Sequence, residues 1–341
     1  MLTPAYKLII GRKVVDTTDE PKASTVVDLT VALDLDTPAD SFTLVLGNVG
    51  RFRPAREDEA KIELGYADNG SLTQVMTGKV ATVEPNLTTT RVMGYSGTDA
   101  LLRTFVEQTF ERKTAGAIVR DLADRAGLDV ATAEDGITFP VYVVDGRRSA
   151  YLHMQDLAEL CGCDLYIKAD GKLVFEQFVS GKAVHVCEFA KHIVAFEVLR
   201  TPPRAGRVEA WGESPTGSQG DDAAAWLTRD FGASRGTAGS GALRLLERPA
   251  LRTRAAARIA ATAALTNLQR RTLRGRVVTI GRPEVKLGDA LRLSGLADDA
   301  LNTNFQVRSV THRISKLGGF TTTVGFRAIQ TNGTGALGLG R

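Results

Sequence analysis

Three cysteines and three of the four histidines crowd into one stretch of the chain: His153, Cys161, Cys163, His185, Cys187 and His192. Thiolate and imidazole are preferred zinc ligands, so metal chemistry is the first possibility to weigh. The spacing argues against it. Structural zinc sites pair their ligands at short, repeated intervals, and no such repeat occurs here. Cys161 also falls on the apolar stripe of an expected helix, where a free thiol behaves as a small hydrophobe. His153 and the remaining histidine, His312, read as polar surface or strand residues rather than as bases.

Other chemical signatures fail on position. Gly94-Tyr95-Ser96-Gly97-Thr98 approaches the strained nucleophile turn Gly-x-Ser-x-Gly, but Thr98 stands where the second glycine is required. Gly236-Thr237-Ala238-Gly239-Ser240-Gly241 lacks the dinucleotide spacing and has no strand–helix frame, so it reads as a linker. No phosphate-cradling loop ends in Lys-Ser or Lys-Thr. Asp121 with Asp124, and Glu57-Asp58-Glu59, read as solvated surface acids. No catalytic, cofactor-binding or metal-ligating residue is assigned, no cofactor is expected, and the chain is expected not to be an enzyme.

Arginine is concentrated late in the chain, at Arg244, Arg248, Arg252, Arg254, Arg258, Arg270, Arg271, Arg274 and Arg276. Arg244, Arg248 and Arg252 have the spacing of one helical face, although Pro249 interrupts any continuous helix there. A basic stripe serves nucleic acid or an acidic protein surface. The aromatic interleaving of single-strand binders is missing, which favours a protein interface or a solvated face.

The elements that would position these residues follow from periodicity. The chain has 341 residues, 43% of them hydrophobic and 24% charged, with a formal net charge of +4. That length implies two or three domains of a soluble, folded protein. No stretch is long and apolar enough for a membrane span, and Met1–Lys7 lacks the charged and apolar regions of a signal peptide. Free thiols and synthesis in the cytoplasm are therefore expected. Val27, Leu29, Val31, Leu33 and Leu35 alternate with polar partners, placing Val31 at the centre of an inward strand face. After the turn Thr37-Pro38-Ala39-Asp40, Phe42, Leu44 and Leu46 alternate again. Ile62, Leu64 and Tyr66 run to the turn signal Asn69-Gly70, and strands follow near 76–84 and 88–95. Short strands with polar turns point to a barrel or a sandwich.

The period then changes. Thr114 is placed to cap a helix carrying Ile118, Leu122 and Ala126, with Gly127 at its end. A second helix spans about 149–161, with Met154, Leu157, Ala158 and Cys161 on one stripe. A hairpin over 165–176 turns at Asp170-Gly171. Strands return at 192–199, 207–211, 275–280, 290–294, 305–314 and 321–328, with an Ala- and Arg-rich helix over 253–269. The Gly- and Ser-rich segment near 212–242 reads as a flexible insertion, and 330–341 as a flexible tail. The layout is α+β and β-rich. Residues 1–96 form a first β-rich domain, 97–190 an α/β domain with helices and a hairpin, and 191–329 a second β-rich domain, followed by the tail.

Four segments in this order resemble the late control protein D family of phage tails, whose relatives include the hub portion of type VI secretion spike proteins. They are Leu72–Pro85 followed by Gly94–Arg103; Ala117–Leu128; Leu157–Ile167 with its hairpin; and Gly281–Leu296, ending in Val310–Ser315. The resemblance covers about residues 5 to 328. It implies two tube-like β-barrel domains flanking the α/β domain, and a homotrimer whose six barrels form a pseudo-sixfold ring. Such a baseplate hub acts as a symmetry adaptor between the hexameric inner tube and the trimeric spike of a contractile phage tail or contractile injection system. The chain stops at Arg341, soon after the second barrel, which implies a separate spike protein. The expected partners are the protein itself, a tube ring, the spike and baseplate wedge proteins, with neither membrane nor specific nucleic acid, in a virion or injection particle. A tail-associated cell-wall-degrading enzyme and a nucleic-acid-binding module are the alternatives.

Overall fold

The computed structural model describes residues 2–18, 26–47, 54–69, 71–212 and 235–329. The first section supplies seven strands: β1 (Pro4–Ile10), β2 (Lys13–Asp16), β3 (Val26–Asp34), β4 (Ser41–Gly47), β5 (Glu59–Tyr66), β6 (Leu72–Pro85) and β7 (Thr89–Tyr95). They pair in the order β3-β4-β7-β6-β5-β1-β2, antiparallel throughout. Alternation does the sorting: Leu29, Val31 and Leu33 of β3, Phe42, Leu44 and Leu46 of β4, and Ile62, Leu64 and Tyr66 of β5 are all buried. One expected inward residue departs. The β3–β4 register slips between Val26 and Asp28, so Val26 takes the buried place and Val27 is 37% exposed. An extra residue in a strand reverses the facing of what precedes it, which strict alternation does not foresee. A 3-10 turn at Ala67–Asn69 links β5 to β6; Gly70 lies outside the described residues.

The middle section holds α1 (Thr98–Arg103), β8 (Gln108–Thr114), α2 (Ala115–Arg125), β9 (Val130–Ala133), β10 (Thr138–Val144), α3 (Ala150–Cys161), β11 (Cys163–Ile167) and β12 (Leu173–Gln177). The Thr114 hydroxyl accepts the Ala117 N–H at 3.2 Å and caps α2. Gly127, at φ +72°, ends that helix in the left-handed conformation that glycine adopts without a steric penalty. β11 and β12 form the expected hairpin, turning at Gly171 with φ +88°, and β9 joins β12 in parallel. β8 and β10 pair separately.

The last section contains β13 (Val184–Glu188), β14 (Ile193–Arg200), β15 (Arg207–Trp211), β16 (Gly236–Gly239), β17 (Leu243–Glu247), α4 (Arg254–Arg270), β18 (Leu273–Ile280), β19 (Ala290–Ser294), β20 (Asn304–Ser315) and β21 (Gly319–Ala328). Two hydrophobic cores organise the whole. One is built from β1–β7 together with the strands around β20. The other is built from α1–α3 and their strands, and it also includes Val208, Ala210 and Leu251 together with Ala256, Ala257, Ala260 and Ala261 of α4. The Ala-rich helix thus packs through small side chains against α3 and against the small sheet β16-β15-β17.

Part of the glycine-rich stretch read as a linker is ordered strand. β16 pairs with β15 from Ala210↔Gly236 to Arg207↔Gly239. A Cβ at Gly236 would stand 2.1 Å from the Arg258 backbone nitrogen of α4. Glycine is there because strand and helix backbones nearly touch, not because the chain is loose. The rest of the expected insertion, 213–234, and the tail 330–341 lie outside the described residues.

The two β-rich sections are joined in one 13-stranded sheet that includes the path β14-β18-β21-β20-β3-β4-β7-β6-β5-β1-β2. The junction is β20. One of its edges pairs with β21 along nearly its full length, from Phe305↔Ala328 to Ser315↔Gly319. The other edge is divided: Asn304–Gln306 pairs with β19, and Ser309–Ser315 pairs with β3 from Asp34 to Asp28. Among the described residues no sheet closes on itself and the two β-rich sections share this one sheet, so the closed barrels that the resemblance implies are not shown. The reason lies in β3: with β4 on one edge and β20 on the other, it has no free edge along Leu29–Ala32 with which to seal the first section.

Val31 sits on that junction, fully buried, between Phe42 of β4 and His312 of β20 in the ladder. Val31→Asp would place a carboxylate with no cation in this core, a change costing on the order of several kcal/mol. The urea midpoint of unfolding is expected to fall sharply; an unchanged midpoint would show that the inward face of β3 is misassigned.

Candidate assembly interface

The two cores meet at a buried charged node. Asp164, at the start of β11, belongs to the helical side; Gln306 and Arg308 of β20 and Arg327 of β21 belong to the sheet side. Arg308 Nη1 donates to Asp164 Oδ1 at 2.7 Å, and its Nε donates to Asp36 Oδ2 at 3.2 Å. The Gln306 side-chain amide donates to Asp164 Oδ2. Arg327 Nε donates to Gln306 Oε1 at 2.7 Å, and its Nη2 lies 3.6 Å from Asp164 Oδ1. Gln306, Arg308 and Arg327 are all buried. Two guanidiniums thus meet two carboxylates, with the amide relaying between them. Burial, then the neighbouring Arg308, push Arg327 down to about 9. Burial alone would lower Arg308 as well, but Asp164 and Asp36 more than reverse it, so its pKa is raised.

The node lies in a cleft of about 800 Å³ between the β14–β18–β21 end of the sheet and the helices α3 and α4. Arg271 and Arg274 line this cleft, and Arg276 there is paired with Glu197 of β14 at 2.8 Å. Elsewhere the Tyr66 hydroxyl of β5 donates to the Gly281 carbonyl at 3.0 Å and ties the first β-rich section to the last.

Several strand edges and apolar side chains face outward. The outer strands β14 and β2 each leave one edge without a partner strand among the described residues. Phe196 anchors β14 by stacking on Phe326, ring centroids 6.0 Å apart, while Val194 is 65% exposed and Val198 and Leu199 are exposed beside it. Val184, Val186 and Phe189 on and after β13, and Leu243 and Leu245 on β17, are exposed apolar residues too. Unpaired strand edges bearing apolar side chains are a liability in a lone monomer and a resource for a subunit.

The residues singled out for chemistry are dispersed. No group of three or more His, Cys, Asp or Glu is placed to hold a metal among the described residues. Cys161 is buried, its sulfur accepts the Ile137 N–H at 3.4 Å, and burial pushes its thiol up to about 11. Burial raises Cys187 as well. The Ser96 hydroxyl is buried 3.0 Å from that of Thr98. Asp121 pairs with Arg125 at 2.7 Å on α2. His153 and His312 are buried, not surface residues. A His153 ring nitrogen lies 3.1 Å from the Asp145 carbonyl oxygen. His312 sits on the inward face of β20 with Val310 and Ile314, its Nδ1 3.0 Å from the Thr322 hydroxyl, and burial depresses its pKa to about 3. His185 meets Asp289 at 2.9 Å between β13 and the turn before β19. Arg244 lies on a strand, so Arg244, Arg248 and Arg252 do not share a helical face.

The node went unread in the sequence because Gln306 and Arg308 alternate with Phe305 and Val307, so periodicity alone reads them as the outward face of β20. Arg327 lies directly across the ladder from Gln306.

No family model matches the chain. No curated protein matches it either. Solved structures do. The 43 kDa tail protein of prophage MuSo2 from Shewanella oneidensis aligns with a TM-score of 0.72 at 13% identity, covering 95% of this chain and 98% of that one. A tail protein from Neisseria meningitidis aligns with a TM-score of 0.70 at 13% identity, covering 96% and 97%. A type VI secretion system component of Escherichia coli, which exhibits structural similarity to the T4 bacteriophage tail proteins gp27 and gp5, aligns with a TM-score of 0.59 at 8% identity, covering 95% and 77%. The chain therefore has the fold of phage and prophage tail proteins, shared over nearly its full length.

Asp164 holds the node together. Asp164→Ala would leave Arg308 and Arg327 buried with only Asp36 between them, and breaking a buried pair in this way costs about 3–5 kcal/mol. Equilibrium denaturation is expected to register that loss, with far-UV circular dichroism unchanged under native conditions. A difference within experimental error would mean that the arginines are solvated.

Proposed function

We propose that the chain is the structural baseplate hub of a contractile phage tail or contractile injection system, a homotrimer that adapts a hexameric inner tube to a trimeric spike. One observation carries this reading: the tail-protein fold extends over 95% or more of this chain, with no described segment left over for another task. The alternation of apolar and polar residues in both β-rich sections, on either side of the β20–β3 ladder, supports two barrel-like modules per chain. Three chains then present six modules, matching a sixfold tube on one face and a threefold spike on the other.

The physical requirements of such an adaptor fit the surface. A closed ring needs complementary, non-identical edges on each subunit, and the outer strands β14 and β2 provide two different ones. The exposed apolar side chains of β13, β14 and β17 become buried contact area in the ring. Rigidity comes from the sheet and the charged node, and the role requires no catalytic group. Synthesis is cytoplasmic, followed by assembly into a particle with the tube protein, a separate spike and wedge proteins. Among the described residues no helix is long and apolar enough to cross a membrane.

Native mass spectrometry of the purified full chain is expected to show a trimer, and mixing with a cognate tube protein is expected to yield a ring-bound complex. A chain that stays monomeric at high concentration and binds neither tube nor spike protein would overturn the assignment.

A further inference from the structure

A second cleft, of about 600 Å³, opens between β10, α3 and the turn that connects β17 to α4. Val141, Val143 and Leu160 contribute its apolar lining. Val143 is 57% exposed near the end of β10, whereas its neighbours Tyr142 and Val144 turn inward and are buried. β10 pairs with β8 alone among the described residues, so one row of its peptide groups has no partner strand.

The charges decide what can enter. Two arginines of the cleft already have carboxylates: Arg148 holds Asp156 at 2.6 Å and Arg147 holds Asp145 at 3.2 Å. Among the described residues two others do not: Arg248 Nη1 donates only to the Glu247 carbonyl at 3.4 Å, and Arg252 Nε only to the Pro249 carbonyl at 3.3 Å, both within their own turn. That turn is firmly placed: Leu251 between them is fully buried, and its N–H donates to the Arg248 carbonyl at 3.0 Å. The fold thus spends a buried leucine on holding two guanidiniums beside an apolar strand face, with no acid for either.

We infer that this cleft docks an extended acidic segment of a partner protein, whose carboxylates pair with Arg248 and Arg252 while its apolar side chains cover Val141 and Val143. The guanidinium fork matches a carboxylate in two parallel hydrogen bonds, and a free strand edge accepts an extended chain by main-chain pairing. A nucleic-acid strand fits less well. The aromatic side chain of the cleft, Tyr142, is buried with its hydroxyl donating to the His153 carbonyl at 3.4 Å, leaving no ring for a base to stack on. The docking site stands apart from the β14 and β2 edges and does not depend on the hub assignment.

The test is fluorescence anisotropy with the full-length chain and three labelled probes: a short peptide of alternating valine and glutamate, its valine–glutamine counterpart, and oligothymidylate. The glutamate peptide is expected to bind at least about tenfold more tightly than the glutamine peptide and to weaken as salt is raised. The double variant Arg248→Gln, Arg252→Gln is expected to erase that preference without changing the melting curve, since neither side chain holds a tertiary contact. Equal binding of the two peptides by the unaltered chain, no binding of either, or tighter binding of oligothymidylate would each overturn the inference.

Discussion

Everything in this architecture hangs on the double pairing of β20. A strand has two edges, and a buried strand must satisfy the N–H and C=O groups of both. β20 spends one edge on β21 and divides the other between β19 and β3. The β3 half of that edge connects residues near 30 to residues near 312, so strands from the first and last sections of the chain are neighbours in one sheet. Such a ladder forms only after nearly the whole chain has been gathered, and its loop-closure cost falls on the last steps of folding. Its register is not free to slip, because a shift of one residue would carry Val31 off the face it shares with His312.

Sheet and helices are then locked by charge rather than by grease alone. An apolar contact between two cores has many placements of similar energy. The node of Asp164, Gln306, Arg308 and Arg327 has one arrangement that leaves neither arginine without an acceptor. Burial makes any other arrangement expensive. For the hub role proposed above, a single permitted geometry between its parts is the useful property, and a node of this kind supplies it without contributing much to net stability.

Periodicity made much of the fold legible. Strands β3 to β7 of the first section, the capped helix after Thr114, the stripe of α3 and the Asp170-Gly171 hairpin follow from local rules, because local geometry decided them, whereas β1 and β2 went unread. What escaped was decided at a distance. The bulge that exchanges Val26 for Val27 depends on the partner strand. The strand at Gly236–Gly239 looked like a linker because close approach to α4 and a flexible loop call for the same residue. The merging of two β-rich sections into one sheet depends on which edges meet, and alternation is silent on that. His312 and His153 read as surface or strand residues, and their burial went unread because a lone polar residue in a strand or helix carries no mark of the partner that permits it. The exposed apolar patches were the least legible of all, since exposed valines on β10, β13 and β14 look in sequence like any buried valine.

The central claim, that β3 and β20 belong to one cooperative unit, is open to direct test by native-state hydrogen exchange. If the ladder between Asp28–Asp34 and Ser309–Ser315 is continuous, the amides on both strands will exchange only through the same large opening, with matching free energies and matching response to denaturant. If the amides of β3 exchange through a smaller opening while those in the β20–β21 ladder stay protected, the two β-rich sections are independent bodies and the account fails.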